Sequence, residues 1–276
     1  MLSALQPELL PELLAAQSRG EAVVLATVVK ARGATPRQPG AKMLVYADGR
    51  LRGTIGGGEM EARVVEAARG IFTDGKPRVV AYTLVDPAAG DPGVCGGEME
   101  VFLELYLPPP TVFVVGCGHV GRAVAELAHW LGYRVVVTDD REELVSAENI
   151  PHADVYLPGP IELALARHRI TDQTYITVVT RNVNVDRQVL PHLVQTAAPF
   201  IGVIGSRRRW EITRRRLLED GMAEAELARC HSPLGLELNA ETPEEIAVSI
   251  LAEIIMLRRQ GSGERMSRKP AGTESA

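Results

Sequence analysis

Residues 107–111 read LPPPT, and this stretch divides the chain. Proline has no backbone N–H and a fixed φ. Three in succession continue neither a helix nor a strand ladder. A domain boundary is expected there, and 276 residues leave room for two domains of ordinary size. The two sides also follow different patterns.

Before the prolines the chain is strand-rich. AVVLATVVKA (22–31) is an apolar, β-branched run, and KMLVYADGRLRG (42–53) reads as two short strands about an Asp48-Gly49 turn. PRVVAYTLV (77–85) reads as another strand. In EMEVFLELYL (98–107) Met99, Val101, Leu103, Leu105 and Leu107 alternate onto one face. Between these, Met60, Val64, Ala67, Ala68 and Ile71 recur at helical spacing behind Gly56, Gly57 and Gly58. The opening MLSALQPELLPELLAAQ predicts a short amphipathic helix; its acidic residues and two prolines do not suit a secretory signal.

After the prolines, short apolar runs alternate with helical stretches. VFVVG (112–116), RVVVTD (134–139), ADVYL (153–157), YITVVT (175–180) and FIGVIG (200–205) have turn residues at their C-terminal ends. This is the βαβ pattern of a parallel sheet covered on both faces. A last long helix opens at TPEE, with Thr242 as N-cap, Pro243 at the first position and Glu245 closing a capping box. The reading is an α/β protein. It has an N-terminal α+β domain over 1–107, a proline-rich linker over 108–111, a Rossmann-like parallel-sheet domain over 112–259 and a disordered polar tail over 260–276.

A net charge of −5 gives no global pull toward nucleic acid, and scarce aromatics argue against base stacking. No window of eighteen apolar residues exists to span a bilayer. The cysteines, Cys95, Cys117 and Cys230, are odd in number with no CxxC spacing, so neither a disulfide framework nor a zinc site is encoded. A cytoplasmic protein with reduced thiols is expected.

The strongest motif is VVGCGHVG (114–121). Gly116, Gly118 and Gly121 fit GxGxxG between a strand and a helix, and Asp139 ends the next strand. Such a turn lets backbone approach a pyrophosphate at a helix N-terminus. An acid at Asp139 would accept the ribose hydroxyls of NAD and repel a 2′-phosphate. Nucleotide binding and a turn that has kept only its shape both remain open. His119 either faces this crevice or caps the turn, and Cys117 reads as packing.

Further candidates lie at other strand ends. Arg181 stands in TRNVNVD (180–186), and Ser206, Arg207 and Arg208 stand in IGSRRRW (204–210). They suit an anion at a sheet's carboxyl edge, or form a solvated basic helix. In the first domain, Arg37 and Lys42 belong to a Gly/Pro-rich loop, RGATPRQPGAKM (32–43). Two near-copies follow it: GTIGGGEME (53–61) and GVCGGEME (93–100). The first offers Gly57, Gly58 and Glu59 at a helix start. The second offers Cys95 between Gly residues, with Gly96 and Gly97 after it. Both sets serve either a ligand or tight turns alone. Cys95 reads as an exposed, reactive or ligating thiol, or as a small loop hydrophobe.

Taken together these words resemble the XdhC/CoxI family, accessory proteins of xanthine dehydrogenase and related molybdenum hydroxylases. The match runs over nearly the whole chain. It is carried by ATPR-x-PG-x-KM, GTIGGGEME, CGG-x-ME-x-x-LE, GxGHVG with TDDR, TR-x4-D, IGSRRR and SPLGLEL-x-AETPEEIAVSILAE. The resemblance implies a maturation factor that receives molybdenum cofactor, supports its sulfuration and passes it to an apoenzyme. Cys95 would contact the cofactor or its metal. A cysteine desulfurase would be the sulfur donor, and a homo-oligomer is expected. The second domain would hold NAD(P), another nucleotide or the nucleotide-bearing cofactor. Such a protein is a cofactor-binding chaperone rather than an enzyme. An NAD(P)-dependent oxidoreductase is the rival reading, although no Tyr-x-x-x-Lys pair is present. A nucleotide-sensing regulator is another. One departure stands out: many members have TRGH-x-x-D, and here Val183 takes the histidine's place.

Overall fold

The structure is a computed structural model that describes residues 8–33, 35–83 and 97–268. The chain divides into two compact units, Met1–Pro109 and Pro110–Ala276.

The first unit contains helix α1 (Leu9–Ser18), strands β1 (Val23–Arg32), β2 (Lys42–Tyr46) and β3 (Leu51–Gly53), helix α2 (Gly58–Asp74), and strands β4 (Arg78–Thr83) and β5 (Glu98–Tyr106). The strands form one antiparallel sheet in the order β3-β2-β1-β5-β4. β1 is apolar on both faces because both are covered. Val24, Ala26 and Val28 pack with Met60, Val64, Ala68 and Ile71 of α2. Val23 and Leu25 pack with Leu9, Leu13 and Ala16 of α1. Each large side chain buried this way contributes about 1.5–3 kcal/mol. The hairpin expected at Asp48-Gly49 joins β2 to β3. Gly49 at φ 86° completes it, and Tyr46 N–H donates to Arg50 O at 3.0 Å.

The two GGEME words open different elements, α2 and β5, as their flanking patterns predicted. Yet Met60 and Met99 lie in the same core, on the α2 face of the sheet. The shared word is therefore two entries into one apolar layer.

The second unit runs β6 (Thr111–Val115), α3 (His119–Trp130), β7 (Arg134–Asp139), β8 (Val155–Pro158), α4 (Ile161–Arg167), β9 (Thr174–Val178), α5 (Val183–Leu193), β10 (Phe200–Val203), α6 (Arg207–Glu219), α7 (Glu224–Leu227), β11 (Cys230–His231) and α8 (Pro243–Arg259). Its six strands are parallel, in the order β11-β10-β9-β6-β7-β8. Val112, Val114, Val135 and Val137 face one core with α3 and α8. Phe113, Val136, Ile176 and Val178 face the other with α4, α5 and α6. The chain winds outward from β6 to β8, then returns to β9 and winds the other way. A topological switch point therefore opens between the carboxyl ends of β6 and β9, where sheets of this kind take ligands.

The TPEE capping box is present: Thr242 Oγ1 accepts from Glu245 N at 3.2 Å, and Glu245 accepts from Thr242 N. The polar tail expected from Gln260 carries a short 3₁₀ turn at Met266–Arg268; residues 269–276 lie outside the described residues. Among the described residues no helix is long and apolar enough to cross a membrane.

Candidate functional site

The glycines of the β6–α3 turn do different things. Gly116 sits at φ 116°, and a Cβ there would meet Val179 O at 2.7 Å. A Cβ on Gly121 would come within 1.8 Å of Gly116 O, so only glycine lets α3 close onto the turn. At Gly118 a Cβ would meet nothing within 4 Å. Two of the three glycines are thus required by packing. The third leaves an open backbone at the start of α3, where helix N–H groups favour an anion. His119 is exposed beside it, and Cys117 is buried, as its reading as packing implied.

Asp139 is 5% exposed, and its carboxylate is fully engaged. It accepts from Cys117 N at 2.7 Å, from Arg141 N at 2.9 Å and from Arg141 Nε and Nη2 at 3.0 and 2.9 Å. The carboxylate thereby pins the glycine turn to the end of β7. Taking two ribose hydroxyls as well would mean displacing Arg141, a cost that the GxGxxG-plus-acid spacing did not reveal.

Beside these residues lies a cavity of about 290 Å³. Its apolar wall includes Val115, Ile161, Val185 and Val189, and its polar edge includes Asp139, Asp140, Arg141 and Arg181. Arg181 donates to both oxygens of Asp140, at 2.6 and 2.7 Å. That hydrogen-bonded pairing holds the Asp140 carboxyl down at about 2.

TRNVNVD distributes its work over several partners. Asn182 caps α5, accepting from Asn184 N and Val185 N at 2.9 and 3.2 Å. Thr180, which also lines the cavity, and the fully buried Asp186 meet Arg209. Arg209 Nη2 reaches Asp186 Oδ2 at 2.8 Å and Thr180 Oγ1 at 3.0 Å. This buried network ties β9, α5 and α6 together. Sequence reasoning missed Arg209, one of six arginines in RRRWEITRRR. The signal was present in α5, where Asp186 falls among Val185, Val189, Leu190 and Leu193. An acid in a buried stripe needs a buried partner.

Ser206 is the N-cap of α6, accepting from Arg209 N at 3.2 Å, and Arg207 and Arg208 are exposed beyond it. They follow β10 and do not line the cavity that Arg181 lines. Val183 begins α5 and likewise does not line it.

In the first unit Gly56, Gly57 and Gly58 all adopt positive φ, at 140°, 81° and 65°. The anion cradle expected there is partly filled from within. Glu61 Oε1 accepts from Thr54 Oγ1 at 2.6 Å, Gly57 N at 2.9 Å and Ile55 N at 3.1 Å. Burial raises the Glu61 pKa, but these hydrogen bonds outweigh it and leave the carboxyl below its ordinary value. Gly57 and Gly58 still have open space where a Cβ would stand. Glu59 pairs with Arg63, Lys42 Nζ donates to Thr27 Oγ1 at 3.1 Å, and Arg37 is exposed. Gly97 is buried just before β5; Cys95 and Gly96 lie outside the described residues. Burial pushes the Cys117 thiol up to about 12 and the Cys230 thiol to about 11, so both are protonated at neutral pH. Among the described residues no cluster of three His, Cys, Asp or Glu could hold a metal ion.

Known proteins fall in line with this architecture. Residues 112–254 match the XdhC Rossmann domain, and residues 16–83 match the XdhC and CoxI family. The uncharacterized protein YqeB of Escherichia coli K12 is 36% identical over 247 residues, covering 88% of this chain and 44% of that protein. A probable xanthine dehydrogenase component of Bacillus subtilis 168 is 31% identical over 161 residues, 58% of this chain and 47% of that one. The chain thus spans about half the length of these two relatives. The molybdenum cofactor insertion chaperone PaoD of E. coli K12 is 25% identical over 268 residues, 87% of this chain and 84% of that one. A crystal structure described as a xanthine dehydrogenase from Bacillus halodurans shares the fold. Its TM-score is 0.50 at 23% identity, over 95% of this chain and 97% of that one. On the two domain matches together, the chain belongs to the XdhC and CoxI family.

Proposed function

We propose that this protein is an accessory factor that binds molybdenum cofactor as cargo and supports maturation of a molybdenum hydroxylase. The observation that carries the reading is the strand-end cavity of a family-typical Rossmann unit. It pairs an apolar wall of Val115, Ile161, Val185 and Val189 with the guanidiniums of Arg141 and Arg181. A flat, phosphate-bearing ligand needs both: apolar surface for its ring system and fixed donors for its charge. The open backbone at Gly118, at the start of α3, favours an anion in the same way. The likeness to a cofactor insertion chaperone points the same way.

The cargo is held while its sulfido ligand is installed, with a cysteine desulfurase as sulfur source. Cys95 meets the cofactor or its metal. The loaded protein, as a homo-oligomer in the cytoplasm, delivers to a xanthine dehydrogenase or carbon monoxide dehydrogenase-like apoenzyme. A nucleotide-binding role, as a sensor or an NAD(P) enzyme, draws on the glycine turn and the strand order. Engagement of Asp139 by Arg141 and Cys117 weighs against NAD in the usual pose.

The test is to purify the protein from cells that make the cofactor and assay released pterin by fluorescence and mass spectrometry. Bound pterin is expected. Protein that stays pterin-free and takes up no added cofactor would overturn the reading, and bound nucleotide alone would favour the sensor.

A further inference from the structure

Arg181 follows β9 and Asp140 follows β7, and β6 lies between those strands in the sheet. Their ion pair therefore reaches across the carboxyl end of β6, the strand that leads into Gly116. Arg181 engages Asp140 with two parallel hydrogen bonds, at 2.6 and 2.7 Å. Arginine takes a phosphate with this same fork. The two side chains are 40% and 41% exposed, and a pair so exposed is readily exchanged. Arg141 is different. It is bound to Asp139, whose side chain is only 2% exposed and which also anchors the glycine turn. Arg181 is thus the exchangeable guanidinium of the cavity: it is hydrogen-bonded to Asp140 and stands 4.0 Å from Asp139.

We propose that Asp140 holds the place of a ligand phosphate on Arg181, and that an anionic ligand entering the strand-end cavity displaces it. Asp140 is then an internal competitor. It keeps Arg181 extended over the switch point, and it sets a threshold that only a phosphate-bearing ligand overcomes. A ring without phosphate meets the apolar wall but does not open the pair. The inference rests on the reading that this cavity is the ligand site. The chemistry it names is shared by a nucleotide phosphate and a pterin phosphate.

The test uses the full chain and two variants, Asp140→Asn and Arg181→Met. Titration with inorganic pyrophosphate reads the shared chemistry. Asp140→Asn should bind it about fivefold more tightly, the factor expected when a weak exposed ion pair no longer competes. Arg181→Met should lose most of the binding. Adenosine, without phosphate, should bind all three proteins alike. Two further arms separate the sources: ADP affinity, and the amount of pterin that co-purifies from cofactor-producing cells. Whichever gains with Asp140→Asn identifies the ligand class. Equal or weaker pyrophosphate binding by Asp140→Asn, unchanged binding by Arg181→Met, or no binding by any of the three overturns the proposal. Failure of the cargo reading is seen separately, as wild-type protein without pterin, and leaves the pyrophosphate comparison standing.

Discussion

At the scale of single residues, the glycine turn shows how one motif mixes packing with binding. Gly121→Ala would place a methyl 1.8 Å from Gly116 O, so α3 must move away from β6. We expect a loss of about 3 kcal/mol in chemical denaturation. Gly118 has ordinary φ and open space, so Gly118→Val should change stability by no more than about 1 kcal/mol. The same variant should abolish nucleotide binding in calorimetry, because the side chain would fill the backbone's approach to a phosphate. Unchanged affinity would make the turn purely structural. Asp139 teaches a related lesson. Spacing placed it at the end of β7, but only its neighbours reveal that Arg141 and Cys117 already use its oxygens.

At the scale of elements, helix starts decide which backbone donors are left for a ligand. α2 begins after three glycines, and Glu61 folds back to bond Ile55, Gly57 and Thr54. Its carboxyl pKa is lowered in the folded state, so the stabilisation is present above the ordinary glutamate value and lost as pH falls through the folded value. Glu61→Gln should cost about 1 kcal/mol at neutral pH. The gap between wild type and variant, followed by denaturation across pH, should shrink as pH drops below about 4. A gap that widens on acidification would contradict this capping role. α6 illustrates the converse. Its arginines look alike in sequence, yet helical phase sends Arg209 inward to Asp186 while Arg207 and Arg208 stay exposed.

At the scale of the whole molecule, the thiols divide by environment. Cys117 and Cys230 are held protonated by burial. Cys95, in the second GGEME word, lies outside the described residues, and its role is part of the proposed function. Cys95→Ser should fold with an unchanged thermal midpoint and retain less pterin than wild type after purification from cofactor-producing cells. Wild-type retention would remove Cys95 from the site.

Local signals were enough for the fold class. Apolar runs of five or six residues, the glycine spacing and the TPEE cap each act through near neighbours, and β6, β7, β9, β10, α3 and α8 formed where those signals lay. The two-sided burial of β1 was likewise written in its continuous apolar run. Partnership across the sheet was not legible in this way. Arg181 meets Asp140 over 41 positions, and Arg209 meets Asp186 over 23. Strand-end position singled out Arg181 but not its partner, and nothing in the sequence distinguishes Arg209 from the other arginines of α6. Periodicity fixes which face of an element is apolar, because that face must leave water whatever covers it. Which charges then meet, and so which are spent on structure and which remain for a ligand, depends on strand order and helix phase, and these exist only once the chain has packed.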